Sequence, residues 1–470
     1  MLYGKIFMNK NNQIVPVRSE SSRREFLKRT ALTAGAVAAT GFLRTPVYGQ
    51  ATAPSANVVG ANSKITLGFV GVGAQGLNAH VRGILENMAA NNVTIAAVSD
   101  VSKTRIAEAK KTIAAGGIAT VEGYEDYKKL LERKDIDAVI CATVDHWHCR
   151  VSCDTLNAGK SVYVEKPMTR YLDEAFQIYD AVKKTGKVLQ VGSQGTSDAK
   201  WHKAAQWVRE GKIGPVVMMQ GSYMRNSPKG EWNYPIFDWA TPEDINWAMW
   251  HGDQIKSHKD FSKDDYFRWR KYYPYCSGLL GDLLPHKLHP YLLASASTEF
   301  PTRVACIGSG KFESDKGTAG TPPRDSAEIV QVIADFPNGM TFNMTNSSVN
   351  ETGTQEMIRG TKGDLYMAGN KVELKPQRPY SEDLEPETSA PFPPESIPDH
   401  HKNFFDAIRG VVPQPNANID LAIRVQTIVS LAEQSNRLSM MCNFDPKTRK
   451  ITTGDGKEVA PLTYGSLPQS

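Results

Sequence analysis

The sequence predicts an α/β fold in which a doubly wound parallel sheet is followed by an α+β domain with a mostly antiparallel sheet. Three observations carry this. Short apolar runs alternate with helical stretches from Lys64 to Val191. A glycine-rich turn, Gly71-Val72-Gly73-Ala74-Gln75-Gly76, joins the first of those runs to the first helical stretch. Beyond Gly192 the pattern changes to strand-like runs with long connections. Apolar strands this short, set between helices, imply parallel units buried on both faces.

Taken in order, Lys64 to Val70 reads as a strand, Ala74 to Ala90 as a helix, Val93 to Ser99 as a strand and Lys103 to Ala115 as a helix. Strands at Asp137 to Ala142, Ser161 to Val164 and Val188 to Val191 follow, separated by helices at His148 to Ala158 and Leu172 to Thr185. A helix bearing Trp201 and Trp207 then leads into a β-rich run, Val216 to Met224. Further strands are expected at Arg303 to Ile307, Ala327 to Phe336, Met340 to Asn346 and Glu356 to Gly360. Residues 376–398 hold seven prolines, which predicts an exposed extended excursion. Amphipathic helices around His400 to Ile408 and Ile419 to Leu438 close the pattern. The resulting division is a signal peptide (1–49), a linker (50–62), a nucleotide-binding domain (63–195), a substrate and oligomerisation domain (196–440) and a tail (441–470).

Composition limits the function. A chain of 470 residues is long enough for two cores, and 40% hydrophobic with 22% charged residues is ordinary for a soluble protein. The net charge of +5 is scattered, which argues against a nucleic-acid partner. Ser22-Arg23-Arg24-Glu25-Phe26-Leu27-Lys28, a weakly apolar run from Thr30 to Leu43 and small residues near Val47 resemble a twin-arginine signal. That pattern makes the export machinery a partner and the periplasm or exterior the destination. The run is too short for a permanent membrane span. Six cysteines (Cys141, Cys149, Cys153, Cys276, Cys306 and Cys442) are not needed as staples in a protein of this size, and no essential disulfide is expected.

The glycine turn lies where an open α/β sheet binds dinucleotides: Gly71 for the tight turn, Gly73 for close approach of a pyrophosphate, Gly76 for helix packing, with Ala74 and Gln75 at the helix start. Asp100 ends the second strand at the distance where an acid accepts ribose hydroxyls. It would repel a 2′-phosphate, so NAD is expected over NADP, although Lys103 and Arg105 lie nearby. Thr143 and His148, after the next strand, are assigned to the wall of the nicotinamide pocket. No metal site is expected from His146, His148 and Cys149. Glu165-Lys166-Pro167 follows the Ser161 to Val164 strand, at the ligand-binding edge of the sheet. Asp282 and His286, four apart, read either as a carboxylate supporting a general-base imidazole on one helix face, or as a helix start with packed histidines. Five tryptophans between residues 231 and 275 suit a sugar pocket, with at least half of them expected in the core.

In combination these residues resemble the Gfo/Idh/MocA family of glucose-fructose oxidoreductase and inositol dehydrogenase-like enzymes, over about Ile65 to Leu438. The resemblance implies an N-terminal Rossmann domain, a second domain that covers the site and often builds a homo-oligomer, and a bound nicotinamide cofactor. It assigns Lys166 and His286 to proton handling at a substrate hydroxyl, with Asp282 assisting, and places Glu165 beside the cofactor. Ser277 stands where the family usually has glycine, Pro285 precedes the histidine, and His289 replaces a frequent acid. The expected activity is oxidation of a hydroxyl on a sugar, polyol or glycoside, with the cofactor retained and recycled in each turnover. The alternatives are a glycosidase that uses NAD transiently, and a non-catalytic sugar-binding protein.

Overall fold

The computed structural model describes residues 64–310, 312 and 323–467. The signal and linker expected at residues 1–62 lie outside the described residues.

The first sheet is built from β1 (Ile65–Val70), β2 (Val93–Ser99), β3 (Glu122–Tyr124), β4 (Ala138–Cys141), β5 (Ser161–Glu165) and β6 (Leu189–Gly192). Its order is β3-β2-β1-β4-β5-β6, all parallel. The strands reverse direction of travel across the sheet between β1 and β4, which opens a ligand crevice at their C-terminal ends. The crossovers carry a π turn (Gly76–Val81) running into α1 (Arg82–Asn87), then α2 (Lys103–Ala115), α3 (Tyr127–Leu131), α4 (Asp145–Asn157) and α5 (Leu172–Thr185). The first helix therefore begins at Ala74, as the sequence suggests, with Ala74 and Gln75 helical ahead of the π turn, and it ends at Asn87, three residues earlier than expected. It is held at its start by the Leu77 N–H to Gly73 carbonyl bond at 2.8 Å.

After α6 (Ala199–Arg209) the chain enters a 12-stranded sheet. Its strands are β7 (Val216–Asn226), β8 (Arg303–Ser309), β9 (Ile329–Asp335), β10 (Thr341–Ser347), β11 (Val349–Asn350), β12 (Met357–Gly360), β13 (Gly363–Ala368), β14 (Lys371–Pro376), β15 (Glu387–Thr388), β16 (Cys442–Asp445), β17 (Lys450–Thr452) and β18 (Glu458–Val459). Every pairing is antiparallel except β7 with β10. The inward residues of β9 and β10 (Val330, Val332, Ala334, Phe342, Met344) are buried, whereas Gln331, Ile333 and Asn343 face outward. Residues 442–459 extend this sheet through β8. Between β7 and β8 the chain forms α7 (Trp247–His251), α8 (Lys263–Arg268), α9 (Leu279–Asp282) and α10 (Leu284–Ala294).

Two closing helices, α11 (Ile397–Ile408) and α12 (Ile419–Leu438), tie the halves together. Phe404 and Phe405 of α11 are fully buried in the same apolar cluster as Ile65, Leu67 and Phe69 of β1. A helix some 200 residues past the first sheet thus completes one of its faces. In α12 nearly every residue is buried, and Glu433 receives a bidentate bond from the fully buried Arg170 at 2.5 and 2.7 Å. Among the described residues no helix is long and apolar enough to cross a membrane.

Candidate active site

At the β1 to helix turn the three glycines have separate roles. Gly71 sits at φ +83°, and a Cβ there would lie 2.6 Å from the Ala142 carbonyl oxygen. A Cβ on Gly76 would come within 2.2 Å of the Gly71 oxygen, whereas one on Gly73 would meet nothing and project into open space. That open space belongs to a cavity of about 440 Å³ lined by Gly71, Gly73, Ala74, Gln75, Asp100 and Thr143. Asp100 accepts from the Val72 N–H at 2.9 Å and the Ser102 N–H at 3.0 Å, which points its carboxylate across the crevice mouth. Burial raises its pKa against those two bonds. A backbone cradle open at Gly73, next to an acid at the end of β2, fits an NAD dinucleotide.

The aromatic segment 231–275 forms the opposite wall of this cavity. Phe237, Met249, Trp250, Tyr266 and Trp269 line it, and Trp250 accepts through its carbonyl from Trp147 Nε1 at 2.8 Å. Trp232, Trp250 and Trp269 are buried, and Trp247 stacks on Trp250 with ring centroids 4.6 Å apart. The expectation that at least half of the five tryptophans fill a core holds. Four of its five tryptophans belong to a small core over the nucleotide crevice, and Trp232 reaches instead to Asp282.

Glu165 is buried at the end of β5. It accepts from His80 Nε2 at 2.8 Å, Gln75 Nε2 at 3.3 Å and the Lys166 N–H at 3.2 Å. Burial alone would raise its pKa, but the His80 bond and the charges of His80 and Lys166 bring it down to about 2. His80 continues the chain through Nδ1 to His401 Nε2 on α11, 2.9 Å away. The Lys166–Pro167 peptide is cis.

Lys166 Nζ donates to Asp282 Oδ1 at 2.7 Å and to the Asp282 carbonyl at 2.8 Å. Arg270 Nε donates to the same Oδ1 at 3.1 Å, and Trp232 Nε1 to Oδ2 at 3.0 Å. Burial opposes ionisation of Asp282, yet the Lys166 and Arg270 charges hold it far below the usual carboxylate range. Asp282 therefore spends its bonds on Lys166, Arg270 and Trp232, and not on orienting His286 as a continuous helix face would require. The cause is local: the helix breaks at Leu283 and restarts with Pro285 in its first turn, where a residue lacking an N–H is tolerated. His286 follows one turn on and lines a second cavity of about 690 Å³ with Tyr223, Arg225, Lys287, Glu356 and Glu395. The Tyr223 ring lies 5.4 Å from the imidazole at a 30° tilt. Burial first, then the Lys166 charge, lowers the His286 pKa to about 3, so the imidazole is neutral near pH 7, with an open ring nitrogen but weakened basicity until a substrate changes its surroundings.

One assignment changes, that of His148. His148 is buried behind the crevice wall, its ring nitrogens 2.7 Å from the Pro167 carbonyl and 3.2 Å from the Thr143 carbonyl. It braces the β4 and β5 loops against each other, while Thr143 itself faces the cavity. Asp145, beside it, was given no role by the sequence, yet it is buried against Gly281 with Arg270, Lys166 and Asp282 as its charged surroundings. His80, Tyr223 and Arg225 were also missed. They come from unrelated elements and no local pattern marks them. Among the described residues no cluster of His, Cys, Asp and Glu is arranged to hold a metal, and all six cysteines are free, with Cys149 and Cys153 sulfurs 4.0 Å apart.

Residues 65–193, from β1 to the end of β6, match the model of the Gfo/Idh/MocA oxidoreductase family, NAD-binding Rossmann fold. This segment is that family's nucleotide-binding domain. Among curated relatives, an alpha-N-acetylgalactosaminidase of Shewanella oneidensis is 28% identical over 268 residues, covering 52% of this chain and 56% of the relative. A glycosyl hydrolase family 109 protein of Akkermansia muciniphila is 29% identical over 234 residues, covering 44% and 48%. The chain thus spans about half the length of the curated relatives it matches. Among solved structures, levoglucosan dehydrogenase in complex with NADH and levoglucosan superposes with a TM-score of 0.61 at 18% identity, over 81% of this chain and 99% of that one. Aldose-aldose oxidoreductase of Caulobacter crescentus, complexed with glycerol, gives 0.59 at 17% identity, over 81% and 100%. These two likenesses show the shared fold alone.

Proposed function

We propose that the protein oxidises a hydroxyl of a sugar, polyol or glycoside and keeps its NAD through the cycle. The observation that supports this most is the placement of Asp282. Its partner Arg270 lines the nucleotide cavity, its partner Lys166 ends β5, and His286 one turn away lines the second cavity. Gly71, Gly73 and Asp100 would hold the dinucleotide, with Gln75 and Glu165 toward the nicotinamide end. Bound NAD supplies the hydride acceptor, and the chain supplies alignment and proton transfer. Neutral His286 takes the hydroxyl proton of the substrate, the hydride leaves for the cofactor, and Lys166, fixed by Asp282, gives a hydrogen bond to the oxygen as it becomes a carbonyl without losing its proton. Arg225, Lys287 and Glu356 offer charged hydrogen-bonding groups to the remaining hydroxyls, with Tyr223 as an apolar face.

A second reading has its own support in the curated relatives named as family 109 glycosyl hydrolases. In it, oxidation of the sugar acidifies the neighbouring C–H, a base removes that proton, the aglycone leaves, water adds, and the carbonyl is reduced back. Export by the twin-arginine pathway favours both readings, because a folded protein can carry its nucleotide with it. The outward face of the large sheet, where Ile307 and Ile333 are 72% and 55% exposed, supports self-association through that face.

The test is to denature purified protein, identify released nucleotide by mass spectrometry, and incubate fresh protein with glycosides in D₂O. Released NAD with a carbonyl product supports the first reading. Released NAD with free aglycone and deuterium next to the oxidised carbon supports the second. A protein that carries no nucleotide and binds none when it is added would sink both, and leave a sugar-binding protein.

A further inference from the structure

The turn from β2 into α2 holds the polar groups that a 2′-phosphate on the adenosine ribose would need: hydroxyls at Ser102 and Thr104, helix-start N–H groups, and the basic residues Lys103 and Arg105. Each is already committed. Asp244, which reaches back from segment 231–275, accepts from Ser102 Oγ at 2.6 Å, from Thr104 Oγ1 at 2.7 Å and from the Thr104 N–H at 3.0 Å. Its own carbonyl accepts from the Lys103 N–H at 3.1 Å. Lys103 Nζ donates to the Glu243 carbonyl at 2.6 Å. Arg105 lines the nucleotide cavity, but it is bound to Glu108 at 2.9 Å and its guanidinium lies 4.9 Å over the Trp239 ring. The helix needs no second cap, since Ser102 Oγ accepts from the Arg105 N–H at 3.2 Å.

We propose that Asp244 is a built-in anion that fills the phosphate-side donors of the β2–α2 turn, so that the pocket selects a nucleotide with a free 2′-hydroxyl. The proposal rests on the NAD-binding reading and deepens it. Asp100 alone accepts ribose hydroxyls. Asp244 adds a second negative charge where a phosphate would sit and removes the groups that could offset it. Glu125 lines the same cavity and is held by Asn246 Nδ2 at 2.6 Å, which adds a further carboxylate to a cavity that already holds Asp100. Because Asp244 belongs to the segment that walls the crevice, one residue couples nucleotide choice to the fit of that wall.

The experiment is fluorescence titration of nucleotide-stripped full chain with NAD and NADP, for wild type and Asp244→Asn. The asparagine keeps the shape and one acceptor while removing the charge. The ratio of NADP to NAD dissociation constants is expected to fall by about tenfold or more, the size of one charge acting at short range in a partly buried site. Asp244→Ser, whose hydroxyl can still accept the Thr104 N–H, replaces it if the asparagine variant is recovered unfolded. A merely structural Asp244 would weaken both nucleotides by the same factor, and an unchanged ratio overturns the proposal. Wild-type protein that binds NADP as tightly as NAD overturns it as well. Wild-type protein that binds neither nucleotide overturns the cofactor reading itself, and the proposal with it.

Discussion

Replacing Asp282 with asparagine removes one charge from a point where three donors converge. Lys166 Nζ, Arg270 Nε and Trp232 Nε1 stand 2.7, 3.1 and 3.0 Å from its two oxygens. Asparagine keeps one acceptor oxygen and turns an NH₂ toward a group that also donates. Two hydrogen bonds to a charged group, each worth about 1.5–3 kcal/mol, are lost or weakened. Two cations also remain in a largely buried site without their counter-charge, so the expected loss of stability is about 3–5 kcal/mol. The urea midpoint followed by tryptophan emission measures it. Adding Lys166→Met to Asp282→Asn takes away one uncompensated cation, so the double variant is expected to regain about 2 kcal/mol while its turnover stays at background. A single variant within about 0.5 kcal/mol of wild type, or a double variant less stable than Asp282→Asn alone, would refute the reasoning.

Three further outcomes follow from the geometry. Gly73→Ala should leave the melting temperature unchanged, because its Cβ meets no protein atom, yet weaken NAD binding by tenfold or more; Gly76→Ala should lose about 1–3 kcal/mol of stability as well. Calorimetry and NAD titration separate the two, and equal behaviour would contradict the glycine roles. Burial lifts the Asp145 carboxyl to about 7 against an unfolded value near 4. Its contribution is full below pH ~4, declines as pH rises and is lost above ~7, so Asp145→Asn should flatten the stability decline between pH 5 and 8 by up to about 3 kcal/mol. Parallel pH profiles for wild type and variant would refute it. Ile333→Lys should shift the protein to a smaller species in light scattering without changing its NAD affinity, and an unchanged mass would remove the sheet face as the self-association surface.

Five strands of the first sheet were readable in the sequence because buried parallel strands are continuous apolar runs, and the glycine turn marks the crevice between them; β3, the short exposed Glu122–Tyr124, went unread for lack of such a run. Lys166, Asp282 and His286 were readable through their motifs. What the motifs do not encode is which side chain each one meets. Asp282 was paired with His286 by spacing, but the break at Leu283 and Pro285 turns it to Lys166, Arg270 and Trp232 instead. The destination of the tryptophan-rich segment depends on contacts such as Asp244 to Thr104, 140 residues apart, and periodicity has no reach at that range. Strands β13 and β14 went unread because Gly363 to Pro376 mixes short apolar positions with charge.

The burial of Phe404 and Phe405 against β1 has a consequence for how the protein is made. During synthesis the first sheet emerges early, but one of its apolar faces stays uncovered until residues 397–408 have left the ribosome. The nucleotide-binding half therefore cannot reach its final core until that late helix has emerged. For the same reason, a chimaera that exchanges this half for that of a relative must carry the α11 helix along with it, though the helix is encoded near the far end of the chain.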